Sequence, residues 1–223
     1  MRPLTEKKSF ISTYLTPVDS LSEIIFGLIM VLGFTSTARI ALGEQSPRQF
    51  LWAVIGCNLA WGIVDGLMYI LASVYERSQR ARLADSIRGA PDEATALALI
   101  ADEIDPQLSK LLSERERTQL TRWVFTKVKG LTPQPVRITQ DDLLGALASG
   151  LLVFLATLPV AVPFLLVDDS WQALRLSNLV CVLLLFVVGY RWAWHTRANP
   201  VVAGLALMVI GLVMVAITVA LGG

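Results

Sequence analysis

Asp65 stands near the middle of an otherwise apolar run, Phe50 to Tyr75, that is long enough to cross a bilayer. A lone carboxylate at that depth costs about 3 kcal/mol or more, so it should face protein, water or a passing ion rather than lipid. Asn58 precedes it, and Tyr69, Ser73 and Glu76 follow it at helical spacing. All five fall close to one helix face, running from mid-membrane to the water interface. The chemistry on offer is a titratable oxygen ligand at depth with a polar stripe leading to one surface.

The elements that must position this stripe are membrane spans. Hydrophobic residues make up 54% of the 223-residue chain, mean hydropathy is +0.60, and net charge is only +1. Those values are high for a soluble domain and give no sign of a nucleic-acid partner. A hydrocarbon core of about 30 Å needs roughly 20 helical residues. Five runs qualify: Glu23 to Leu42, Phe50 to Tyr75, Asp142 to Val167, Trp171 to Tyr190 and Pro200 to Leu221. None shows the two-residue alternation of a barrel strand. Arg39 and Arg175 lie near span ends, where a long side chain can reach the interface. The expected class is therefore an all-α membrane protein with five transmembrane helices and a helical cytoplasmic insert between spans two and three. The chain divides into an N-terminal segment (1–22), spans one and two (23–75), the insert (76–138) and spans three to five (139–223).

Charge gives an orientation. Sixteen of the nineteen Lys and Arg fall on one side if the N-terminus is cytoplasmic, and the positive-inside rule then places the N-terminus and insert inside and the C-terminus outside. An inner or plasma membrane is the expected location, and the polar first 22 residues give no cleavable signal peptide.

The insert reads as helices rather than a loop. The first, about Glu76 to Arg88, continues span two. A second covers about Asp92 to Ile104, with Ala96, Leu97, Leu99 and Ile100 apolar. Asp105-Pro106 reads as an N-cap with proline at N1, opening a short turn through Leu112. Ser113 and Glu116 form a capping box for a helix reaching about Lys129, and Thr139 with Asp142 caps span three. Cys57 and Cys181 sit in apolar runs as small hydrophobes, with neither a disulfide framework nor zinc spacing. Enzymatic chemistry has little support: there is one histidine, His195, and no phosphate-binding glycine loop or activated cysteine. No tightly bound cofactor is expected.

Ile24-Ile25-Phe26-Gly27-Leu28 opens span one, and Ala146 to Leu151 followed by Leu158-Pro159 and Pro163 to Leu166 marks span three. With Glu-Arg-Ser at Glu76 to Ser78 closing span two, this architecture resembles the vacuolar iron transporter family. The resemblance implies a homodimer whose first spans line a pathway exchanging a divalent metal such as Fe²⁺ or Mn²⁺ for protons. It also implies an acidic ligand in span one, a methionine ligand in span two and an insert that gathers ions with carboxylates and methionines.

The chain departs from that pattern. Ile29-Met30 stands where the span-one acid would fall, and Asp65, or Met68 in a slightly shifted alignment, stands where the methionine would. The expectation is an exchange of acid and thioether between the two helices, with Met30 and Asp65 only about 6 Å apart in expected depth. After Glu76, the first helix of the insert has Arg77, Arg80, Arg82 and Arg88 against the single acid Asp85, and the insert has no methionine. The expected pathway is Asp65, Met30, Met68, Tyr69, Ser73, Glu76 and Asn58, with Asp65, Met30 and Glu76 as metal ligands. Gly62 and Gly66, a GxxxG around Asp65, should pack closely against another helix, as should Gly27 and Gly150. Expected partners are the bilayer, a second copy, a divalent metal ion and protons. Two other readings stay open: the same fold carrying another cation or an organic ion, and a non-transporting scaffold or sensor acting through its insert.

Overall fold

The computed structural model describes residues 9–41, 47–104, 111–131 and 135–221. Among them the chain is helical, without strands: α1 (Phe10–Tyr14), α2 (Pro17–Ala41), α3 (Pro47–Arg88), α4 (Glu93–Glu103), α5 (Glu114–Gly130), α6 (Gln140–Ala161), α7 (Pro163–Leu166), α8 (Ser170–Trp192) and α9 (Pro200–Ala220), with a 3₁₀ turn at Ala193–His195. Five of these elements are long and apolar enough to span a membrane. The protein is an all-α integral membrane protein.

The chain separates into two compact units, 1–70 with 139–223, and 71–138. In the first, α2 packs against α6, α8 and α9. Leu28, Val31 and Leu32 of α2 are fully buried with Leu185 and Cys181 of α8, and the Cys181 thiol donates to the Leu28 carbonyl at 3.1 Å.

α2 begins six residues before the apolar run that marks it in the sequence. Thr16 is its cap: the Thr16 backbone N–H and hydroxyl both donate to Asp19 Oδ2, at 3.2 and 2.6 Å, and the Asp19 N–H donates back to Thr16 Oγ1 at 3.2 Å. With Pro17 at N1, Thr-Pro-Val-Asp is a complete helix start. Glu23 therefore lies about 9 Å inside the helix rather than at its end.

The third span is likewise not one helix from Asp142 to Val167. Its start is as expected, with the Thr139–Asp142 capping box formed in both directions. It stops at Ala161, because Pro163 has no N–H to return to the Pro159 carbonyl. The buried Val160 carbonyl instead accepts from the buried Ser177 hydroxyl at 2.8 Å. The short α7 then buries Phe164 against Phe50, with ring centroids 5.0 Å apart.

In the second unit, the end of α3 packs with α4 and α5 around Ile87, Ala96, Ile100 and Phe125. Asp92 caps α4 and the Ser113–Glu116 capping box opens α5. The turn expected at Asp105-Pro106 lies outside the described residues.

Candidate functional site

Three small-residue contacts fix how α2, α3 and α6 meet. A Cβ on Gly62 would lie 2.7 Å from the Gly150 carbonyl oxygen, and one on Gly66 would lie 2.9 Å from that of Ala146. Rising numbers on α3 meet falling numbers on α6, so the two run antiparallel with their backbones in contact. A Cβ on Gly27 would lie 2.7 Å from the Val153 carbonyl oxygen, and Glu23 meets Ser149 one turn earlier, so α2 and α6 run parallel. The aromatic pairs Phe26–Trp61 (5.9 Å) and Phe34–Phe50 (5.7 Å) close the antiparallel α2–α3 side. The glycines expected to mediate packing, Gly27, Gly62, Gly66 and Gly150, are all at these crossings.

This register brings two carboxylates to one level. Glu23 sits opposite Ser149 on α6, and Asp65 falls opposite about residue 147, an offset of about 3 Å along the helix. Glu23 is a charged group within electrostatic reach of Asp65. The fully buried Ser149 hydroxyl donates to Glu23 Oε1 at 2.8 Å. Asp65 Oδ2 is buried and has no hydrogen-bond partner among the described residues. Two turns away on the same face of α3, Asn58 is 1% exposed, and its Oδ1 is also without a partner among the described residues. Met30 lies two turns from Glu23 on α2 and is half-buried, so a second tier of Asn58 and Met30 follows the carboxylate tier.

The other expected residues are placed differently. The Tyr69 hydroxyl donates to the Tyr14 carbonyl at 3.2 Å, and its ring lies where a Cβ of Gly145 would be. Met68 is 57% exposed. Ser73 is half-buried. Glu76 belongs to the second unit and is paired with Arg80 at 3.1 Å, both side chains being mostly exposed. The Arg39 side chain lies outside the described residues.

Glu23 and Ser149 are the members of the site that the hydropathy pattern hides. The helix start at Thr16-Pro17-Val18-Asp19 was the available signal for Glu23, and a lone hydroxyl in the small-residue patch Ala146 to Gly150 was the one for Ser149. Among the described residues no three His, Cys, Asp or Glu side chains gather in a metal-binding group. Two carboxylates with neutral hydroxyl and amide oxygens nearby can bind a partly hydrated divalent cation or hold protons in its place.

The family model described as the VIT family matches residues 71–223. It covers the insert and spans three to five, including Ser149, while Glu23 and Asp65 precede it. No curated protein matches the chain. With five spans, an insert after the second and a match over more than half its length, the chain belongs to the vacuolar iron transporter (VIT) family of membrane metal-ion transporters.

Proposed function

We propose that the protein moves a divalent transition-metal cation of the iron or manganese type across the bilayer in exchange for protons, with Asp65 and Glu23 as the groups that bind one or the other. The observation that carries this reading is Asp65 Oδ2, buried and unpartnered among the described residues, beside a second carboxylate that Ser149 holds in place. Two carboxylates at membrane depth cannot both remain charged without compensation. One divalent cation or two protons neutralise the pair equally, so the same site can load a metal from one side and protons from the other. Asn58 and Met30 extend the route along α3 and α2. The charge bias of the sequence supports a cytoplasmic N-terminus and insert, and family membership supports a homodimer.

The tier holding the carboxylates is built from oxygen, since Met30 is about 10 Å further along α2. That favours Mn²⁺ and Fe²⁺ over thiophilic ions, and it keeps open a relative of the same fold that carries a harder cation. Mn²⁺ titration of the purified protein, with proton release followed in weak buffer, tests the assignment. Wild type should bind Mn²⁺ and release protons, and Asp65→Asn and Glu23→Gln should each bind at least tenfold more weakly. Undiminished binding by both variants would remove the pair from the pathway.

A further inference from the structure

The turn next to the carboxylate pair, toward the N-terminal side of the membrane, is filled from three directions. Tyr69, one turn beyond Asp65 on α3, lays its ring over Gly145, one turn before Ser149 on α6. Its hydroxyl is held by the Tyr14 carbonyl at the end of α1. Leu15, the next residue, is 5% exposed and packs on Ala148 and Leu152, on either side of Ser149. α1 itself contributes no fully buried residue, so this segment is held by Leu15 and by the half-buried Ile11 and Tyr14, which pack on the same cluster.

We propose that Tyr69 and the Tyr14–Leu15 end of α1 form a latch that shuts the Glu23–Asp65 site from the side of the membrane carrying the N-terminus. Tyr69 is then a movable barrier rather than a wall of an open path. The geometry suits movement. A phenol ring can swing to another rotamer without disturbing the backbone contacts at Gly62 and Gly66. A five-residue helix held only by half-buried side chains and the Leu15 anchor separates more readily than a packed span. The latch rests on the reading of the carboxylate pair as the ion site, but its closure can be measured without transport.

The test is the rate at which a charged, membrane-impermeant methanethiosulfonate reagent modifies Asp65→Cys. Cys57 is replaced by alanine, and the fully buried Cys181 is retained. Reagent is added to vesicles from the side carrying the insert, a side identified by protease cleavage of the insert. With the latch intact, modification should be slow. Tyr69→Phe, which keeps the ring and removes its bond to Tyr14, should speed it at least threefold. Gly145→Ala, which displaces the ring, and Leu15→Asn, which loosens the end of α1, should each speed it at least tenfold. Thermal melting and gel filtration of the same variants identify any that are misfolded, and the remaining variants carry the comparison. Equal rates in the parent and the folded variants, or a parent already modified as fast as an exposed cysteine, would overturn the latch. Mn²⁺ binding by the unmodified protein tests the ion site separately, so a failure of one is distinguishable from a failure of the other.

Discussion

The Ser149 hydroxyl donates to Glu23 Oε1 at 2.8 Å, tying the first span to the third across 126 residues of chain. The serine is fully buried, so this bond has no water to replace it. It fixes one carboxylate of the pair while Asp65 Oδ2 stays unpartnered among the described residues.

Ser149→Ala should therefore weaken Mn²⁺ binding by about tenfold while leaving the fold intact, the usual scale for removing a group that orients a metal ligand. Titration calorimetry of wild type and variant measures it. Unchanged affinity with an unchanged melting temperature would mean that Glu23 does not act on the ion.

The α3–α6 crossing should be intolerant of even a methyl group. Gly62→Ala or Gly150→Ala places a Cβ within 2.7 or 2.5 Å of a facing backbone oxygen, and backbone cannot step aside as a side chain can. Each should cost about 1–3 kcal/mol and lower the melting temperature in detergent by several degrees. Gly56→Ala, which meets nothing within 4 Å, should be neutral or slightly stabilising.

The insert should lose stability in acid through its caps. Hydrogen bonds from Thr95 hold the Asp92 carboxyl below its ordinary value of 3.8, and those from Ser113 hold Glu116 below 4.5. A carboxyl whose pKa is lower in the folded state adds stability that is complete above its ordinary value and fades as pH falls through the folded value. Amide exchange, corrected for intrinsic rates, should thus report protection in the first turns of α4 and α5 that is constant from pH 7 to about 5 and declines below about 4. Protection that is flat down to pH 3 would contradict the cap assignment.

The fold was legible because each span contains a long apolar run, and because Ser113 with Glu116 and Thr139 with Asp142 are recognisable starts of an insert helix and of span three. Asp65 was legible because a charge interrupting such a run is costly. Glu23 was not, because hydropathy marks where apolar residues begin, whereas a helix begins where its first N–H groups find acceptors. Here that is Thr16 with Asp19, in polar sequence. Thr16→Ala should accordingly cost about 1 kcal/mol, read as a lower melting temperature, if α2 starts where its cap lies. Tyr69 carried the right spacing for a path-lining residue, but spacing does not reveal that Gly145 leaves room for its ring or that Tyr14 offers an acceptor. Those depend on which helices meet and in what register, and single-helix periodicity does not contain that information.

The central claim is that a membrane-depth carboxylate pair carries the ion, and the most direct measurement is Mn²⁺ flux in proteoliposomes under an imposed pH gradient. Wild type is compared with Asp65→Asn and Glu23→Gln, all three verified as folded. Wild type should take up Mn²⁺ with rates that follow the gradient, and each variant should fall at least a hundredfold. Uptake by Asp65→Asn equal to that of wild type, with the same dependence on the gradient, would contradict it.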